Sequence, residues 1–188
     1  MTDAPIASRR RFLRRTLHGS AVWAAAGTPL IATGARAASD APRLLALVHT
    51  HTHERIDLVY ARQAHYLPDA LARLNHFLRD HYSGAVGRID PGLLDLLHAV
   101  QRTLGSSQGF EVISGYRSPG TNEQLRLGRG GGVARHSLHL EGRAIDVRLP
   151  GVPLAELRDA ALELQRGGVG FYASDRFVHL DTGRVRRW

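Results

Sequence analysis

Eleven histidines and no cysteine leave imidazole and carboxylate as the groups through which this 188-residue chain can hold a transition metal. One segment bearing several such groups runs Arg135-His136-Ser137-Leu138-His139-Leu140-Glu141-Gly142-Arg143-Ala144-Ile145-Asp146. His139 and Asp146 are separated by six residues with Gly142 between them, so the chain can leave a loop at His139, turn at the glycine and return along a strand to present Asp146 beside it. Both are sound zinc ligands, and a site built from three protein ligands keeps a position for water. The third ligand must come from elsewhere, and Phe177-Val178-His179-Leu180-Asp181 offers a histidine in a short apolar strand. Each residue also has a plain structural reading. A lone histidine in an apolar strand is commonly a hydrogen-bonded core residue, and Asp146 could be an edge charge, so the residues alone leave both open.

The other histidines sort by neighbourhood. His49, His51 and His53 alternate on one strand face, a geometry able to hold a metal. The threonines between them and the lack of a nearby carboxylate-bearing motif favour a solvated face. His65, His76, His81 and His98 fall in segments read as helical, without a partner pattern, and are expected to be surface or satisfied residues. The run Gly130-Gly131-Gly132 matches neither a Walker nor a dinucleotide fingerprint, and reads as a mobile loop bordering a cleft.

The elements that must position these groups follow from periodicity. Leu44 to His53 and Arg55 to Tyr60 alternate as two antiparallel strands. Pro68 to about Tyr82 repeats leucines at helical spacing. Asp90-Pro91 opens a second helix with Leu93, Leu97, Val100 and Leu104 as its buried stripe, ended by Gly105. Phe110 to Ile113 is a strand running into Ser114-Gly115-Tyr116-Arg117. Ser118-Pro119 opens a short helix that dissolves at Gly128. Arg143 to Leu149 is a strand, and Leu154, Leu157, Ala161 and Leu164 make a helix closed by Gly167-Gly168. Two strands, Val169 to Tyr172 and Phe177 to Asp181, finish the chain. Without strict alternation of strand and helix, the class is α+β: a small antiparallel sheet packed against helices.

The formal charge of +8 is carried wholly by arginine and is unevenly spread. Arg9, Arg10, Arg11, Arg14, Arg15 and Arg36 stand against Asp3 alone in residues 1–37, leaving +3 on residues 38–188. That is a mildly basic surface suited to an anionic wall polymer and far from a nucleic-acid binder's stripe, so no nucleic acid is expected as partner. Ser8-Arg9-Arg10-Arg11-Phe12-Leu13-Arg14 resembles the twin-arginine export signal. An interrupted apolar stretch from Ala21 to Ala32 and a small-x-small pattern, Ala35-Arg36-Ala37, follow it. The stretch is too short for a stable anchor, which needs about 20 apolar residues. Residues 1–37 are therefore read as a signal peptide for the twin-arginine machinery, which carries folded proteins, and 38–188 as one periplasmic domain.

Ser137-Leu138-His139-Leu140-Glu141-Gly142-Arg143-Ala144-Ile145-Asp146 resembles the S-x-H-x-x-G-x-A-x-D motif of the M15 peptidase clan, which includes D-Ala-D-Ala peptidases and, as a zinc-bearing relative, the hedgehog signalling domain. Ser114-Gly115-Tyr116-Arg117-Ser118, Gly167-Gly168-Val169-Gly170-Phe171-Tyr172 and Phe177-Val178-His179-Leu180-Asp181-Thr182-Gly183 match further segments in the same order. Within the clan the chain is most similar to the twin-arginine-exported murein endopeptidase K subgroup.

The resemblance implies a hedgehog/D-Ala-D-Ala peptidase-like fold, zinc on His139, Asp146 and His179, and hydrolysis of amide bonds in peptidoglycan stem peptides, with cross-links as the target. Zinc so held lowers the pKa of water from ~15.7 toward ~7 and polarises the scissile carbonyl. Arg117 is expected to face the substrate, either at the oxyanion or at a stem-peptide carboxylate, with a structural salt bridge as its other reading. Many members place an acid three residues before the last histidine ligand, where this chain has Arg176. Asp181, two residues after His179, is expected ahead of His136 to shuttle the proton instead, though Asp181 could equally serve by fixing a ligand imidazole. A D-alanyl-D-alanine carboxypeptidase and a non-catalytic, zinc-stabilised wall-binding domain are the competing functions.

Overall fold

The computed structural model describes residues 41–128 and 133–188. The export-signal reading of residues 1–37 and the glycine run 130–132 lie outside the described residues. Among the described residues no helix is long and apolar enough to cross a membrane.

Strand β1 (Arg43–His49) buries Leu45, Leu47 and His49 on one face and pairs antiparallel with β2 (Arg55–Arg62), Leu47 opposite Ile56. β4 (Phe110–Ser114) joins the other edge of β1 in parallel, and β5 (Ala144–Arg148), β7 (Phe177–Asp181) and β6 (Gly168–Tyr172) continue the sheet antiparallel. Two-residue strands β3 (His65–Tyr66) and β8 (Arg186–Arg187) close the edges, giving the order β3-β2-β1-β4-β5-β7-β6-β8. The α+β class holds. The sheet is larger than the small antiparallel one expected, because two-residue strands carry no alternation to read, and it includes two parallel pairings, β1 with β4 and β6 with β8. In the interior, β5 is buried from Ala144 through Val147, so Asp146, the one charged residue of that buried stretch, is drawn into the core by its apolar neighbours.

Helices α1 (Pro68–Phe77), α2 (Pro91–Thr103), α3 (Pro119–Gly128) and α4 (Leu154–Glu163) account for the helical periodicities. Asp90 Oδ1 accepts from the Gly92 N–H at 2.9 Å, and Pro91 starts α2 as the sequence requires. α2 lays Leu93, Leu94, Leu97 and Val100, all fully buried, against β1, and each contributes about 1.5–3 kcal/mol of burial. α4 packs on β6 and β7, and α1 packs on β2. α1 ends at Phe77, well short of Tyr82. The buried Asp80 carboxylate accepts from Tyr82 N–H at 2.9 Å, Ser83 Oγ at 2.8 Å and Ser118 N–H at 2.9 Å, and so draws the chain into a turn. That turn ties the end of α1 to the segment Ser114–Ser118, on which the site depends.

Candidate metal centre

β5 and β7 pair with Asp146 directly opposite His179, so two of the expected ligands are cross-strand neighbours by register alone. His139 arrives from a 3-10 turn, Leu138–Glu141, ended by Gly142 in the left-handed region (φ 65°). A Cβ at 142 would lie 2.0 Å from the Arg88 carbonyl oxygen, so both backbone conformation and space demand glycine where the chain turns back into β5. The Arg117 N–H donates to the His139 carbonyl at 3.1 Å, which stitches this turn to the Ser114–Ser118 loop. The three donors converge. His179 Nδ1 lies 2.8 Å from Asp146 Oδ1, His139 Nε2 lies 3.4 Å from the same oxygen, and the two imidazole nitrogens are 3.3 Å apart. Among the described residues this is the one group of three metal-ligating side chains within such reach, and all three are buried.

The outer nitrogens decide which way the rings point. His139 Nδ1 is 2.7 Å from the Gly115 carbonyl, which can only accept, so the proton sits on Nδ1 and the Nε2 lone pair faces the centre. His179 Nε2 likewise donates to Asp181 Oδ2 at 3.2 Å, turning Nδ1 inward. This donor set, two imidazole nitrogens with committed outer N–H groups and one carboxylate oxygen, fits a zinc-type cation in ligand chemistry and in tautomer. Burial disfavours the charged form of His179, but hydrogen bonds and charge from Asp146 and Asp181 outweigh that and raise its pKa to about 9. Burial also works against the Asp146 carboxylate, yet the two imidazoles hold it well below the usual range. The site is thus a concentration of negative charge that a cation, or in its place a proton on His179, must compensate.

Asp181 is fully buried under His179. Its oxygens accept from Gly168 N–H at 3.1 Å, Gly183 N–H at 2.8 Å and Arg186 at 2.7 and 3.1 Å, as well as from His179. On the open side, a cleft of about 350 Å³ is lined by Arg117, His136, His139, Asp146, His179, Tyr172, Phe177, Arg186 and Trp188, among others. Arg117 stands 4.0 Å from Asp146 Oδ2 and donates to Asn122 Oδ1 at 3.4 Å. His136 is exposed on the cleft rim. Arg176 sits in the exposed turn between β6 and β7 with φ 59° and is not among the cleft residues.

The sequence profile of the family described as peptidoglycan L,D-endopeptidase MepK matches residues 37–188. The chain belongs to this family. It is 43% identical over 183 residues to the Escherichia coli K12 protein named peptidoglycan L,D-endopeptidase MepK, covering 97% of each chain. It is 38% identical over 148 residues to the Haemophilus influenzae protein named probable peptidoglycan L,D-endopeptidase MepK, covering 78% of this chain and 79% of that one. Among solved structures, the Serratia marcescens L-Ala D-Glu endopeptidase ChiX is similar at 21% identity and a TM-score of 0.35, covering 52% of this chain and 69% of that one.

In this MepK-family chain several of the remaining histidines depart from the sequence reading, whereas His76 and His98 lie in α1 and α2 as expected. β1 ends at His49, and His51 and His53 lie in the following turn, His53 at φ 58°, so the three do not share a strand face. His49 is fully buried rather than solvated. His81 lies beyond α1 and stacks on His51 with ring centroids 4.1 Å apart, and His65 is in β3. The Asp80 turn explains the error at His81, since it bends the chain where continued helix was expected. Sequence reasoning also missed the Gly115 carbonyl, Arg186 and Trp188. A backbone oxygen leaves no trace in residue types. Arg186 lies in, and Trp188 directly follows, a two-residue strand whose pairing only the fold reveals.

Proposed function

We propose that this chain is a zinc-dependent peptidase that hydrolyses an amide bond in peptidoglycan stem peptides, as a murein endopeptidase cutting cross-links, outside the cytoplasm after export by the twin-arginine route. The observation that carries this reading is the convergence of His139 Nε2, Asp146 Oδ1 and His179 Nδ1, each imidazole oriented by an acceptor on its far nitrogen. A zinc ion held by these three groups supplies a Lewis acid for the scissile carbonyl and an acidified water. Asp181 is a positioning residue: fully buried and holding five hydrogen-bond donors, it keeps the His179 ring in place and has no exposed oxygen with which to take a proton from the cleft. His136, on the cleft rim, is the better-placed proton carrier, accepting from the attacking water and returning the proton to the leaving amine. Arg117, beside Asp146 on the cleft wall, offers its guanidinium to the carbonyl oxygen as negative charge develops there.

The names of the relatives support the substrate class, and the mildly basic charge of residues 38–188 suits an anionic wall. Digestion of purified sacculi followed by muropeptide chromatography tests the reading. Conversion of cross-linked dimers to monomers is expected, abolished by H139A and reduced by a factor of about 10²–10⁴ in H136A. Release of single D-alanine would make the chain a carboxypeptidase instead. Absence of turnover, with H179A still binding sacculi, would make it a zinc-stabilised wall-binding domain, a reading favoured by Arg176 standing where many M15 members have an acid.

A further inference from the structure

We propose that Trp188 is a substrate-binding residue, its indole forming the apolar wall of the cleft beside His179 and receiving the aliphatic side chain of a stem-peptide residue next to the scissile bond. This rests on the stem-peptide reading above. The backbone of Trp188 is pinned against β6: its N–H donates to the Val169 carbonyl at 3.3 Å, and its carbonyl accepts from Phe171 N–H at 3.0 Å. The ring is pinned as well. Its Nε1–H donates to Tyr172 Oη at 2.8 Å, the Arg186 guanidinium lies 4.8 Å from its centroid, and the His179 imidazole lies 5.3 Å away at a 51° tilt. Gly170 makes room for it, since a Cβ there would stand 2.7 Å from the indole.

A tryptophan held by this many contacts would be expected to be buried, yet Trp188 is 49% exposed and lines the same cleft as the three candidate ligands. The hydrogen bond to Tyr172 satisfies its one polar atom, so the exposed remainder is apolar ring. Tyr172 extends the surface by stacking on Phe177 at 4.6 Å, whereas on the rest of the cleft Arg117 supplies a cationic group and His136 a polar one. A stem peptide combines alkyl side chains with amide and carboxylate groups, and this division into an aromatic wall and a cationic wall matches that combination. Because the wall is already rigid before binding, it contributes affinity at little ordering cost.

The chain contains two tryptophans, Trp23 and Trp188, so the full-length W23F protein reports on the wall through its single remaining indole. Titrating the zinc-loaded W23F protein with uncross-linked stem tetrapeptide is expected to shift its emission to the blue and shield it from acrylamide. In sacculus digestion, W188A is expected to raise KM roughly tenfold with kcat little changed, with W188F restoring most of the loss. Zinc stoichiometry in W188A should match the wild type. A fall in kcat at unchanged KM, or loss of zinc in W188A, would reduce Trp188 to a support for His179 and overturn the proposal. Absence of turnover in the wild type defeats the hydrolase reading alone. The emission titration still decides the wall in that case: a saturable shift upholds it, and an unchanged spectrum at saturating peptide overturns it.

Discussion

Among the described residues histidines gather in two places, and only one of these has the makings of a metal centre. At the first, His139 and His179 meet Asp146, and the outer nitrogen of each ring is engaged by a fixed acceptor, the Gly115 carbonyl or Asp181. At the second, His49, His51 and His81 crowd together with ring centroids 4.1 to 6.0 Å apart, but Glu54 and Asp80 act on His49 and His81 only through their charge, and among the described residues no three donors here converge within metal-binding reach. His49 Nδ1 accepts from the His51 N–H at 3.2 Å, which leaves the proton on Nε2, and the Nε2 atoms of His49 and His81 are both buried without a hydrogen-bond partner. His51 and His81 stack with parallel planes, so their in-plane lone pairs run side by side instead of meeting. Counting imidazoles does not identify a metal site. A shared negative charge and an acceptor behind each ring do, because the first compensates the cation and the second selects the tautomer that faces it.

The electrostatics of the two regions have opposite signs. Burial, reinforced by the neighbouring imidazoles, pushes His49 down to about 4, and burial chiefly does the same to His81, also to about 4. His179 moves the other way, to about 9, because Asp146 and Asp181 outweigh its burial.

Several measurements can break or sharpen this contrast. The largest effect is expected from the ligands themselves. H139A, D146A or H179A should abolish stoichiometric zinc and lower sacculus hydrolysis on the order of a thousandfold or more, while H51A and H81A keep full zinc, as read by metal analysis and muropeptide chromatography. Zinc retained in H179A, or lost in H81A, would erase the distinction between the two clusters.

The acceptor behind the ring comes next. D181N should weaken zinc binding about 10–100-fold in a chelator competition, because the amide cannot replace the carboxylate under His179 and leaves Arg186 without its anionic partner.

The third effect is in the pH dependence of stability, with zinc removed by chelation. A histidine whose folded pKa is lowered to about 4 binds fewer protons folded than unfolded, so the contributions of His49 and His81 are complete above the unfolded value of about 6.5 and fade as pH falls toward 4. The contribution of His179 is complete below about 6.5 and fades as pH rises through about 9. Denaturation midpoints of the metal-free protein should therefore fall on both sides of neutrality. The alkaline fall should disappear in H179A, and the acid fall should shrink in an H49F/H81F variant. A flat profile would contradict both assignments.

The smallest effect is expected at the rim of the second cluster, where Arg79, just beyond α1, pairs at 2.6 Å with Glu54 in the connection between β1 and β2. R79A should cost no more than about 1 kcal/mol in urea denaturation and leave zinc binding untouched, since half-exposed surface pairs contribute little.

Legibility differed between the two regions for a physical reason. At the candidate metal centre, Gly142 and the spacing from His139 to Asp146 could be read as a turn and a return strand, because the left-handed turn and the apolar run of β5 are local properties of the chain. Around the second cluster the local signal was misleading. The alternation of His49, His51 and His53 looked like continued strand, but the backbone turns after His49, whose N–H donates to the Glu54 carbonyl at 2.9 Å. The reach of α1 was overestimated for the same reason, since the partner that ends it through Asp80 is Ser118, far along the chain. The two-residue strands β3 and β8 were too short to read, and with β8 went the placement of Arg186 and Trp188.

The sequence by itself determined that imidazole and carboxylate are the donor groups on offer, the α+β class and the order of the long elements, since residue type and periodicity are written in neighbouring positions. The tertiary structure alone decided which imidazole nitrogen faces inward, that Asp181 lies buried beneath His179 rather than open to the cleft, and that an indole closes the cleft wall. Those properties depend on hydrogen bonds and close approaches between residues remote along the chain, where register and burial, rather than local preference, assign each side chain its partner.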